Sequence, residues 1–174
     1  NYNHLKIHSQ FSICEGAIKI DDLKDFSKEN KIRCIGLSDT SNLCGALEFA
    51  EKISKSGTQP IIGTQINLLN DNQIGKITLY ATSETGYKNL TKLSSLSYLK
   101  NKDSYDPHCK IDDLISNNED LILLTGNYNN FFGKLFYANK TKYFEKMIKK
   151  LKSSFKNRLY IEIQRHGESQ EGNY

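Results

Sequence analysis

Apolar positions in this chain follow a period of two in some segments and about 3.6 in others. Residues 4–8 set Leu5 and Ile7 against His4, Lys6 and His8, which predicts a strand. Residues 20–31 place Leu23 and Phe26 on one face behind Asp21 or Asp22 as an N-cap, which predicts a helix. The apolar run 33–38 ends on Asp39 and reads as a strand. Leu43, Ala46, Leu47, Ala50 and Ile53 fall at helical spacing within 42–55, and Gly57 is placed to stop that helix. Pro60 opens a strand over 61–68, and 76–82 predicts another. Tyr87, Leu90, Leu93, Leu96 and Leu99 mark a helix over 84–99, and a short one is expected over 111–117. Residues 121–125 read as an apolar strand and 159–163 as a last one. Between them, 142–156 is amphipathic, with Phe144, Met147, Ile148, Leu151 and Phe155 on one stripe. The stretch 101–110 is expected to be a loop.

Strand then helix, repeated, predicts an α/β fold of parallel strands with helical crossovers. In such folds the polar residues at strand C-terminal ends carry the chemistry. Here these are His8, Ser38 to Thr40, Gln65, Thr82 and Ser83, Thr125 to Asn127, and Gln164 to His166.

Composition narrows the function classes. The 174 residues allow one domain, and a 37% hydrophobic content excludes a disordered chain. A net charge of +4 is too small for a polybasic tail, and no apolar run nears the ~18 residues of a membrane helix. The opening Asn1-Tyr2-Asn3-His4 shows neither a signal-peptide pattern nor an initiator Met, so residues are expected to be missing there and the location to be cytoplasmic. Only Arg33, Arg158 and Arg165 of the 24 basic residues are Arg, the bias of an AT-rich coding sequence, so lysines read first as solvated surface. That applies to 142–156 too, where Glu145 interrupts them. Cys14, Cys34, Cys44 and Cys109 form no C-x-x-C pair and are expected as buried or half-buried free thiols. His4, His108 and His166 are expected to be solvated or structural, and no phosphate loop or nucleophile elbow occurs.

Five groups of residues are more specific. They are His4-Leu5-Lys6-Ile7-His8-Ser9 with Phe11 to Ala17, Leu37-Ser38-Asp39-Thr40-Ser41-Asn42-Leu43-Cys44-Gly45, and Pro60-Ile61-Ile62-Gly63. Thr85-Gly86-Tyr87-Lys88-Asn89-Leu90 and Tyr160-Ile161-Glu162-Ile163-Gln164-Arg165-His166-Gly167 complete them. In order and spacing they closely resemble the N-terminal PHP (polymerase and histidinol phosphatase) domain of bacterial replicative DNA polymerase III alpha subunits. The resemblance implies a distorted (β/α)7 barrel whose strand ends, in metal-binding members, hold a trinuclear cluster that activates water for phosphoester hydrolysis. In other members the site is degenerate and the domain is a scaffold that docks the proofreading exonuclease subunit. Residues 1–174 would be most of such a domain, with the last strand and a late Asp-x-His motif beyond Tyr174 and an open edge beside 159–163.

Carried over residue by residue, the ligand set is depleted. Lys6 stands at the first position of the family's His-x-His and His8 at the second. Glu15 matches the acidic ligand of the next loop, while Thr40 replaces the His after Asp39. Gln65 stands for a Glu, Lys76 for a His, and Asn127 for a Cys or His. An ammonium offers no lone pair to a metal. Lys6 and Lys76 are therefore expected to neutralise Glu15 and Asp39, with no catalytic residue and no metal in this segment. The parent chain would be a DNA-directed DNA polymerase with Mg in its polymerase domain, acting on DNA within its holoenzyme. One alternative is a residual phosphoesterase or 3′–5′ exonuclease holding Zn or Mn through His8, Glu15 and Asp39. Another is a DNA-binding module.

Overall fold

The computed structural model describes residues 2–71, 73–100, 106–138, 141–169 and 171. Its elements are α1 (Ile20–Glu29), β1 (Cys34–Thr40), α2 (Ala46–Lys55), β2 (Gln59–Asn70), β3 (Gln73–Ala81) and α3 (Glu84–Leu99). Then follow β4 (His108–Lys110), α4 (Ile111–Ser116), β5 (Leu121–Leu124), α5 (Phe131–Tyr137), α6 (Thr141–Phe155) and β6 (Leu159–Tyr160). The strands form one sheet in the order β1-β2-β3-β5-β6, with β4 paired to the end of β2. No helix among the described residues is long and apolar enough to cross a membrane.

The α/β class is as expected, but the sheet is not all parallel. β3 runs antiparallel to both β2 and β5, against the direction of the other five strands. The reason is local. Asn70 pairs with Gln73, so β2 and β3 are joined by a connection too short for a crossover helix. Asp71 takes a φ of 49°, a turn conformation that Asp tolerates.

Residues 4–8 are not a regular strand, yet they lie along the outer edge of β1. Gly36 donates its N–H to the His4 carbonyl (2.8 Å), and Ser38 donates to that of Ile7 (2.8 Å). Gly36 is required there, because a Cβ would stand 2.3 Å from the Leu5 oxygen.

Side chains alternate across the sheet. One face is apolar and covered by helices. Ile35 and Leu37 pack with Leu23, Phe49 and Ile53 of α1 and α2. Ile66, Leu68, Ile77, Leu79, Leu121 and Leu123 pack with α3 to α6. The inner face carries Ser38, Thr40, Gly63, Gln65, Thr78 and Tyr80 on matching registers, with Ile61, Ile122 and Leu124 beside them. Tyr80 reaches across it to donate to the Leu5 carbonyl (3.0 Å). At the ends of the strand order, Lys6 Nζ lies 3.5 Å from Glu162 Oε1, so the sheet curls until its two edges approach.

Several finer expectations are corrected. Lys19, not Asp21 or Asp22, is the N-cap of α1. α2 starts at Ala46, leaving Cys44 outside it, and Leu47 is exposed. α5 falls where no element was expected. β6 stops at Tyr160, because β5 ends at Leu124 and Gly126 (φ 78°) turns the chain away from it. Cys14 and Cys44 are exposed rather than buried. His108 is buried in β4, its Nδ1 2.9 Å from the Asp106 carbonyl oxygen; residues 101–105 lie outside the described residues.

Candidate functional site

The direction of β3 decides which residues share the mouth of the sheet. Thr40, Gln65 and Thr78 stand in one row across β1, β2 and β3. Because β3 is reversed, Lys76 in its N-terminal half rises above that row, on the side where β1, β2 and β5 end. Thr82 and Ser83 lie at the opposite end, contrary to the all-parallel expectation. There Ser83 caps α3 and bonds Asp120, and Thr82 donates to the Asp120 carbonyl.

Glu15 is the centre of the mouth. One carboxylate oxygen accepts from Lys76 Nζ and the other from Thr40 Oγ1. Partial burial pushes this carboxyl up, but the bonds from Lys76 and Thr40 and the Lys76 charge outweigh it, so its pKa lies below the usual glutamate value. Burial lowers the His8 pKa below that of a free imidazole. Glu15 and Asp39 oppose that shift, while Lys6 and Lys76 add to it. Neutral His8 places Nδ1 3.4 Å from Ser12 Oγ.

Asp39 does something else. The strand alternation turns it away from Thr40, and it is buried. Its Oδ1 accepts from the Ser9 N–H (2.6 Å) and Ser12 Oγ (2.7 Å), and Oδ2 accepts from Ser9 Oγ (2.7 Å). Ser12 Oγ in turn accepts from the Thr40 N–H (3.0 Å). The carboxylate thus ties the 9–12 turn to the end of β1 without any lysine. Lys6 is likewise not a partner of Glu15 or Asp39; its acid is Glu162. Of the two expected lysine pairings, the structure contains the one between Lys76 and Glu15.

Gln65 is buried and donates from Nε2 to Thr78 Oγ1 (3.2 Å). Asn127 donates to Gln164 Oε1 (3.0 Å), which places it toward Glu162. Gln164 donates in turn to Glu162 Oε1. Ser9, Ser12, Thr78 and Glu162 are contributors that the sequence reading did not single out. The Ser9-x-x-Ser12 spacing and the inward register of Glu162 were the available signals.

A catalytic metal centre needs several lone-pair donors converging on one point. Here His8 has Nδ1 against the Ser12 hydroxyl, Glu15 already binds an ammonium and a hydroxyl, and Asp39 faces away with both oxygens occupied. Among the described residues, no group of three or more His, Cys, Asp or Glu side chains is placed to hold a metal ion. The donor set therefore does not fit a multinuclear cluster.

Comparison with known proteins agrees with the residue pattern. The chain is 39% identical over 164 residues to a DNA polymerase III subunit alpha of Rickettsia felis, covering 94% of this chain and 14% of that one. It is 37% identical to that of Borreliella burgdorferi and 31% to that of Vibrio cholerae, in each case over 15% of the relative's length. The chain thus spans about one seventh of the curated relatives it matches. Among solved structures, an amidohydrolase from Chromobacterium violaceum, with bound sulfate and no metal, is similar at a TM-score of 0.42 and 16% identity, over 54% of this chain and 34% of that one. The model of the PHP domain matches residues 4–166, and with so much of its length matched the chain belongs to the PHP family.

Proposed function

We propose that this chain is the PHP portion of a replicative DNA polymerase III alpha chain and acts as a scaffold rather than as a hydrolase. The observation that carries this reading is the Lys76–Glu15 pair. It puts a protein cation, together with the Thr40 hydroxyl, on the carboxylate that would otherwise face a metal. Such a pair keeps both Glu15 carboxylate oxygens satisfied without exchangeable ions. In this role the domain supports the polymerase core that follows and docks the proofreading exonuclease subunit. DNA is reached through the holoenzyme in the cytoplasm.

Two measurements test the reading. Isothermal titration of the chain with the proofreading exonuclease subunit of the same organism is expected to show a saturable complex. Crystals soaked in zinc or manganese are expected to show no anomalous peak between His8 and Glu15. A strong peak there, with metal-dependent release of nucleotides from a DNA 3′ end, would replace the scaffold by an exonuclease. A silent titration would remove the docking role.

A further inference from the structure

We infer that the exposed face of α6 contacts the sugar-phosphate backbone of duplex DNA, independently of sequence. The first observation is where the charge sits. Positions 142–158 hold seven basic residues (Lys142, Lys146, Lys149, Lys150, Lys152, Lys156 and Arg158) and one acid, Glu145, a net +6. The whole chain is +4, so the other 157 residues together carry −2. A lysine-rich composition alone would spread the excess.

The second observation is pairing. On the other helices most lysines have carboxylate partners: Lys24 with Asp21 and Asp25, Lys52 with Asp21 and Glu48, Lys55 with Glu51, Lys88 with Glu84. Lys134 bonds the Ile74 carbonyl, and Lys28 and Lys92 stand singly without an acid on α1 and α3 among the described residues. On α6, Lys150 pairs with Asp112, and Lys149 reaches Glu145 only at 4.0 Å. Among the described residues Lys142, Lys146, Lys152 and Lys156 have no acidic partner, and all four are exposed.

Geometry turns these charges into a line. Met147, Leu151 and Phe155 are buried in the core and fix the rotation of the helix. Lys142, Lys146 and Lys149 then fall at i, i+4 and i+7 on the opposite face. Lys156, just past the end of α6, extends the row to about 20 Å at ~1.5 Å per residue. Lysine is a point charge suited to phosphate, and the row holds no exposed aromatic ring on which unpaired bases would stack, which favours a duplex over a single strand. The inference stands without the scaffold reading, because it uses neither the mouth of the sheet nor the exonuclease.

The test is fluorescence anisotropy of a labelled mixed-sequence duplex with the 174-residue chain and two triple variants at about 50 and 200 mM salt. The chain is expected to bind, with a steep loss at the higher salt. Lys142→Gln with Lys146→Gln and Lys149→Gln is expected to weaken binding at least about tenfold and to reduce the log–log salt slope by roughly 0.9 per lost phosphate contact. Lys52→Gln with Lys55→Gln and Lys88→Gln removes the same charge from paired positions and is expected to leave binding unchanged. Five of the six positions are exposed and Lys52 is half-exposed, and none lies in the core, so circular dichroism of both variants should match the parent. The inference is overturned if the parent does not bind at low salt or if the α6 variant binds like the parent. It also fails if both variants weaken equally, or if a single strand or anionic lipid vesicles compete better than duplex.

Discussion

Asp39 shows how much of a strand-end carboxylate's behaviour depends on which way it faces. Its neighbour Thr40 points into the mouth and touches Glu15, while Asp39 points to the helix-covered side and collects three hydrogen bonds from Ser9 and Ser12. The motif marked both as site positions, but a string of residues does not reveal which of two neighbours will find local donors. Asp39→Ala would strand two hydroxyls and an N–H in a buried turn. Bonds to a charged group are worth about 1.5–3 kcal/mol each, partly recovered by relaxation, so a loss of about 3 kcal/mol in urea unfolding is expected. Glu15 behaves differently because it is partly solvated. Its folded pKa lies below its unfolded value, so its stabilisation is fully present above the unfolded value and is lost as pH falls through the folded one. Lys76→Gln should therefore flatten the acid limb of the stability curve below about pH 5, by on the order of 0.5 kcal/mol given the solvent screening. An unchanged acid limb would mean that Lys76 does not hold the Glu15 charge.

Elements whose pattern was strong were legible in the sequence, and those decided by a neighbour were not. α3 spans the predicted 84–99, because its leucine spacing and the Ser83 cap agree. α5 lies in 126–141, a stretch for which no element was expected, and Gly133 with the flanking asparagines weakens its helical pattern. In the fold Gly133 packs against the Tyr128 carbonyl, and Phe131, Phe132 and Leu135 are buried. The reversal of β3 was also missed, although Asn70-Asp71-Asn72 is turn chemistry between two strand patterns. Residues 4–8 alternate like a strand but bond β1 only from one side, which leaves them dependent on the close approach at Gly36. Gly36→Ala should push that segment away and cost about 1–3 kcal/mol, with faster amide exchange at Ser38 as its local signature. If Ser38 stays protected, the segment is held by contacts other than this edge.

At the scale of the whole molecule, the curl of the sheet brings together two segments that lie at opposite ends of the chain. Residues 2–6 with His8, and 162–164 with His166, line a groove of about 530 Å³, and the Lys6–Glu162 ion pair crosses it. Both side chains are largely shielded, at 22% and 13% exposure, and Glu162 Oε2 is buried without a hydrogen-bond partner. A shielded carboxylate that loses its cation is destabilising, whereas replacing both members of a pair is far milder. Lys6→Met alone should therefore lower stability by about 2 kcal/mol and loosen the seam, seen as faster amide exchange at Glu162 and Thr125. Adding Glu162→Gln should restore more than half of the loss. That outcome would make the pair a clasp that sets which edges meet. Additive losses in the double variant would instead mean that Lys6 acts on the seam through its aliphatic stem.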